Sequence, residues 1–103
     1  MKYGWIALLA LAGAAPISHA QDAQSLYLRS AAASCTQCHG TDGNVAAGSP
    51  IASLAGMPRD YLSAQLKAFK AGTRTATVMH QIAKGYTDAQ IEQLAGYFAG
   101  VKK

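Results

Sequence analysis

Cysteine is nearly absent from this 103-residue chain, which has only Cys35 and Cys38. Two thiols cannot supply the two separated ligand pairs that a structural zinc site usually wants. A disulfide between residues so close would staple almost nothing, because the stabilisation a disulfide gives grows with the chain it encloses. Charge is also sparse. Nine Lys and Arg against five Asp and Glu give a net charge of +4, without the dense basic run of a nucleic-acid binder. The sequence has no internal repeat and no low-complexity tract. Residues 73–78, "TRTATV", alternate in polarity, but no second strand is visible to pair with them, so they read as extended loop.

The one long apolar run lies at the start. Lys2 is followed by "WIALLALAGAAP" and then by "SHA", ending at Ala20. That order of charged, apolar and small-residue segments reads as a secretory signal peptide over residues 1–20. The competing reading is a membrane anchor. However, the uncharged stretch of residues 3–19 falls just short of the roughly 18 residues a spanning helix wants, and Pro16 interrupts it. The expectation is therefore export to the periplasm with cleavage after Ala20, and no stable membrane insertion of the mature chain. Residues 21–103 then form a single domain of 83 residues with net charge +3. A chain this short has a modest core and often needs a metal, disulfide or cofactor for stability.

Three helices are expected. The first spans residues 23–33, with Asp22 as N-cap, and ends where the cysteine stretch begins. The second spans residues 60–71, with Leu62, Leu66 and Phe69 on one face and Gly72 as its cap. The third starts at a Thr87/Gln90 capping box and carries the stripe Ile91, Leu94, Ala95 and Phe98 as far as Gly100. Between the first two, residues 40–58 contain Gly40, Gly43, Gly48, Gly56, Pro50 and Pro58 and show no sustained periodicity. So long an irregular segment is out of place in a small domain unless it wraps an object. The segment around Met79, "TATVMHQIAKGYT", reads as polar loop.

That object is indicated by "CTQCHG". A histidine directly after Cys-x-x-Cys marks covalent attachment of a c-type haem. Thiols about one helical turn apart match two neighbouring vinyl groups, and His39 follows as an axial ligand. A thioredoxin-like redox couple would instead need a βαβ context, and no strand precedes the motif. The residues leave the second axial position open among Met57, Met79 and His80. A methionine there fills the site, raises the reduction potential and implies electron transfer without bond chemistry. An empty position would instead suit a haem-based ligand sensor.

In order, "CTQCHGTDGN", "LAG", "YLSAQLKAFKAGTR", "VMHQIAKG" and "TDAQIEQLAGYF" resemble the small class I cytochromes c over essentially all of residues 21–103. Within that class, "FKAGTRTATVMHQIAKGYT" followed by "AGYF" is most similar to the haem subunit of flavocytochrome c sulfide dehydrogenases. The resemblance implies an all-α class I cytochrome c fold, with three main helices and irregular loops wrapped around one covalent haem c. It implies Cys35 and Cys38 as thioether anchors, His39 as proximal and Met79 as distal iron ligand. It also implies that the first and third helices cross, with residues 31–33 near Leu94, Gly96 and Tyr97. The function implied is a periplasmic one-electron carrier with no catalytic site of its own, accepting electrons from an FAD-containing sulfide dehydrogenase subunit. The alternative is a free soluble carrier serving a terminal oxidase or another dehydrogenase.

One departure from the family stands out. Members often have proline two residues before the "LAG" leucine, and its carbonyl accepts the ring proton of the proximal histidine. Ala52 holds that position here, so the acceptor is expected only as some backbone carbonyl within residues 49–53. Arg59, Lys67, Lys70, Arg74 and Lys84 form a candidate basic ring that would steer acidic partners.

Overall fold

The computed structural model describes Gly13 and residues 18–103. The expected signal peptide, residues 1–20, lies outside the described residues apart from Gly13 and residues 18–20. Four α-helices and one short 3-10 turn account for the regular structure, and no strand occurs among the described residues. The all-α expectation holds.

Helix α1, Ser18–His39, is longer than the sequence suggests and does not stop at the cysteines. Neither glycine nor proline interrupts it. Its hydroxyls bond back into the helix instead of competing with it: Ser30 to the Leu26 carbonyl, Ser34 to Ala31 and Thr36 to Ala33, at 2.7–2.9 Å. Asp22 therefore lies inside the helix and caps nothing. Termination comes at Gly40, with φ 83°, where an added Cβ would sit 2.0 Å from the Asn44 carbonyl oxygen. Only glycine fits that turn. A 3-10 turn, Thr41–Gly43, follows.

Helix α2, Arg59–Ala71, begins after Pro58 and ends at Gly72, whose left-handed backbone (φ 78°) returns its N–H to Ala68 and Phe69. Residues 73–78 form a loop as expected, but a bent one, with bends at Arg74, Thr77 and Val78. Helix α3, Met79–Lys84, occupies what the sequence presents as polar loop. Six residues carry too little periodicity to announce a helix. Tertiary packing makes it one, by burying Ala83 completely. Helix α4, Asp88–Ala99, starts at the expected capping box. Gln90 N–H donates to Thr87 Oγ1 at 3.1 Å, and Thr87 N–H donates to Gln90 Oε1 at 2.9 Å.

The core gathers Ala32 of α1, Leu62 of α2 and Leu94, Ala95 and Phe98 of α4. Helices α1 and α4 meet as expected at Ala32 and Leu94, with Tyr97 alongside and set edge-on to Phe98 at 5.1 Å. A Cβ added to Gly96 would meet the Arg59 side chain at 3.7 Å. Helices α2 and α4 are further joined through Glu92, which accepts from Ser63 at 2.5 Å and pairs with Lys67 at 2.6 Å and Arg59 at 3.7 Å. Lys70 pairs with Asp88 at 3.1 Å. No helix among the described residues is long and apolar enough to cross a membrane.

Candidate functional site

Because α1 continues to residue 39, Cys35, Cys38 and His39 stand on its last two turns at helical spacings of three and four, which share one face. Cys35 is half-buried and Cys38 exposed, and no disulfide joins them. Burial pushes the Cys35 thiol above its ordinary value, against a smaller lowering by the Ser34 hydroxyl. Tyr86 closes the same corner, its hydroxyl 3.1 Å from Ser34 Oγ.

His39 Nδ1 lies 2.6 Å from the Ala52 carbonyl. A carbonyl only accepts, so Nδ1 carries the proton and Nε2 carries the lone pair. The acceptor expected among residues 49–53 is therefore Ala52, the same position that often carries proline in the resembled family. Several bonds bring it there. Gly43 O accepts from Leu54 N–H at 2.8 Å and from Ala55 N–H at 3.2 Å, and Gly56 N–H donates to Phe98 O at 2.8 Å. Gly43 itself, at φ 79°, lies so close to the Phe98 ring that an added Cβ would approach within 2.8 Å.

The candidates for the second axial position separate. Met57 packs against the hydrophobic core and is committed there. Met79 opens α3, half-buried and outside that core. His80 follows with its Nδ1 enclosed and without a hydrogen-bond partner among the described residues. Apolar side chains adjoining these residues stand exposed: Ile51 beside Ala52 at 41 %, Val78 beside Met79 at 54 %, and Ile82 on α3 at 43 %. A prepared imidazole lone pair, two cysteines one turn apart and uncovered apolar side chains are what a covalently bound haem requires, so the residues present fit the group. A groove of about 230 Å³ lies elsewhere, between Arg29, Ala33, Thr36, Asp42 and Tyr97.

The candidate basic ring is mostly spent within the chain. Arg59 and Lys67 pair with Glu92, and Lys70 pairs with Asp88. Arg74 hydrogen-bonds Gln65 and stacks over Phe69 at 4.6 Å. Only Lys84 of the five has no such partner among the described residues.

Residues 20–102 match the family model Cytochrome c. The cytochrome subunit of sulfide dehydrogenase from Chlorobaculum tepidum is 47 % identical over 70 residues, which are 68 % of this chain and 62 % of that protein. The thiosulfate dehydrogenase electron acceptor of Thiomonas intermedia is 47 % identical over 73 residues, 69 % of this chain but 33 % of its own length. A solved structure of cytochrome c4 from Acidithiobacillus ferrooxidans superposes with a TM-score of 0.60 at 43 % identity, covering 65 % of this chain and 38 % of that one. The chain thus spans less than two thirds of each of these relatives. By the family match and by the residues that fit the group, the chain belongs to the cytochrome c family and carries its cofactor, covalently bound haem c.

Proposed function

We propose that the protein is a periplasmic monohaem electron carrier and the electron-accepting subunit of a flavocytochrome c sulfide dehydrogenase, exported after loss of residues 1–20. The observation that carries the electron-transfer reading is the prepared ligand at the end of α1, His39 with Nδ1 donating to Ala52 at 2.6 Å. Bound haem c supplies a one-electron ferric–ferrous couple. Cys35 and Cys38 tether it covalently to α1, and His39 Nε2 serves as the proximal ligand. Met79 would serve as the second iron ligand, a role that would argue against a ligand sensor. Its partner is an FAD-containing protein that oxidises sulfide. This part is supported by the 47 % identity to the cytochrome subunit of a sulfide dehydrogenase.

A second reading has its own support. The same 47 % identity to a thiosulfate dehydrogenase electron acceptor favours a free carrier serving another dehydrogenase. Purification from the native host separates the two. A stoichiometric FAD protein retained through gel filtration, with the cytochrome reduced rapidly by sulfide, is the expected result. A monomeric cytochrome that sulfide reduces only slowly overturns the subunit assignment.

A further inference from the structure

The carbonyl that orients His39 belongs to Ala52, a residue without the ring that stiffens this position in many relatives. Something else must hold it. The Ala52 carbonyl and the Ser53 nitrogen belong to one planar peptide unit, so fixing Ser53 fixes the direction of that carbonyl. Ser53 is fixed through its side chain, with Oγ accepting from Val45 N–H at 3.1 Å in a partly buried setting. Immediately after it, Leu54 and Ala55 are tied to Gly43 O. Before it, Ile51 N–H donates to Ser49 Oγ at 3.1 Å. Of these bonds, the one from Val45 to Ser53 acts on a residue of the peptide unit that carries the acceptor. Removing it would also strand a partly buried N–H, so the segment would rearrange to find another acceptor.

We propose that Ser53 is a positioning residue for the proximal ligand: by anchoring on Val45 its hydroxyl holds the Ala52–Ser53 peptide, so the Ala52 carbonyl stays on His39 Nδ1. This rests on the reading of His39 as an axial ligand. A strong bond at Nδ1 makes the imidazole a better electron donor and fixes its plane, and both properties favour the ferric state. Loosening the peptide weakens that bond, so loss of the hydroxyl raises the reduction potential.

The test uses holoprotein. The ligand reading is checked first, by assigning the hyperfine-shifted imidazole resonances of the wild type by NMR. Their assignment to a residue other than His39 overturns that reading and this proposal with it. With His39 assigned, Ser53→Ala raises the midpoint potential, read as a higher ferrous-to-ferric ratio at fixed poise. It also weakens the iron–histidine vibration and speeds exchange of the Val45 amide. The isosteric pair Ser53→Thr and Ser53→Val separates the hydroxyl from side-chain volume. Thr keeps the wild-type potential and Val reproduces the Ala shift. Equal potentials for Thr and Val, or a wild-type potential in Ser53→Ala despite faster Val45 exchange, overturn the positioning role.

Discussion

The two sides of the haem site are built unequally. On the side of His39, α1 runs without a break into the ligand, Gly40 turns the chain, and the following loop is tied to α4 through Gly43, Gly56 and Phe98. On the side of Met79, a six-residue helix with no side-chain cap follows a bent loop. His80 beside it has an enclosed nitrogen without a partner among the described residues. The difference teaches that the proposed proximal ligand, His39, is presented by the fold, whereas the proposed distal ligand, Met79, stands on an element with little support of its own. The distal bond is accordingly the one expected to yield first.

The largest effect should come from Gly40→Ala. Both the left-handed backbone and the 2.0 Å approach to the Asn44 carbonyl oppose a side chain, so a loss of about 3 kcal/mol or more is expected in denaturant unfolding of holoprotein. A fully stable variant would break the comparison, since the proximal turn would then be pliable. Next come the two methionines. Met57→Ala should cost about 2 kcal/mol as a partly buried core truncation, yet keep the absorption band of methionine–ferric coordination. Met79→Ala should lose that band and let the reduced protein bind carbon monoxide, with the smaller effect on global stability. The reverse pattern would move the distal ligand to Met57.

A smaller effect is expected from His80→Leu. Removing an enclosed nitrogen that lacks a partner among the described residues should raise unfolding free energy by about 1 kcal/mol and leave the methionine band in place. Loss of the band would show that α3 cannot hold Met79 without His80, which sharpens the contrast between the two sides. The smallest effect lies away from both ligands, at Glu92. The Lys67 ammonium and then the Ser63 hydroxyl hold its carboxyl below the ordinary value of 4.5. A depressed carboxylate stabilises the fold above its unfolded-state value and loses that contribution as pH falls through the lower folded-state value. Thermal scans stepped down from pH 5 should therefore show a drop in Tm that Glu92→Gln lacks, and solvent screening keeps it small.

Where local chemistry decides the structure, the sequence announces it. Helices α2 and α4 are legible because Gly72 and the Thr87/Gln90 box act on their own neighbours. The haem c cofactor is legible because the chemistry of the Cys-x-x-Cys-His motif lies in its short spacing. The end of α1 is not, since Ser34 and Thr36 look like helix breakers until their hydroxyls are seen bonded back to Ala31 and Ala33. Helix α3 is invisible for a different reason, because burial of Ala83 against the rest of the fold decides it. Ala52 is legible only to within residues 49–53, since the choice among those carbonyls depends on Val45 meeting Ser53 and Gly43 meeting Leu54 and Ala55 across the loop. The ion pairs of the candidate basic ring are not legible, because the two carboxylates that meet Arg59, Lys67 and Lys70, Glu92 and Asp88, lie on a different helix.

The tie between Gly56 and Phe98, reinforced by Asn44 Nδ2 donating to Lys102 O at 3.2 Å, also bears on the order of folding. These bonds join partners more than forty residues apart in sequence, so the loop cannot settle until α4 has docked. Cys35, Cys38 and His39 lie on a helix that needs no such closure. Covalent tethering can therefore run ahead of the rest of the fold, while the grip on the His39 ring arrives last, when the far end of the chain comes home.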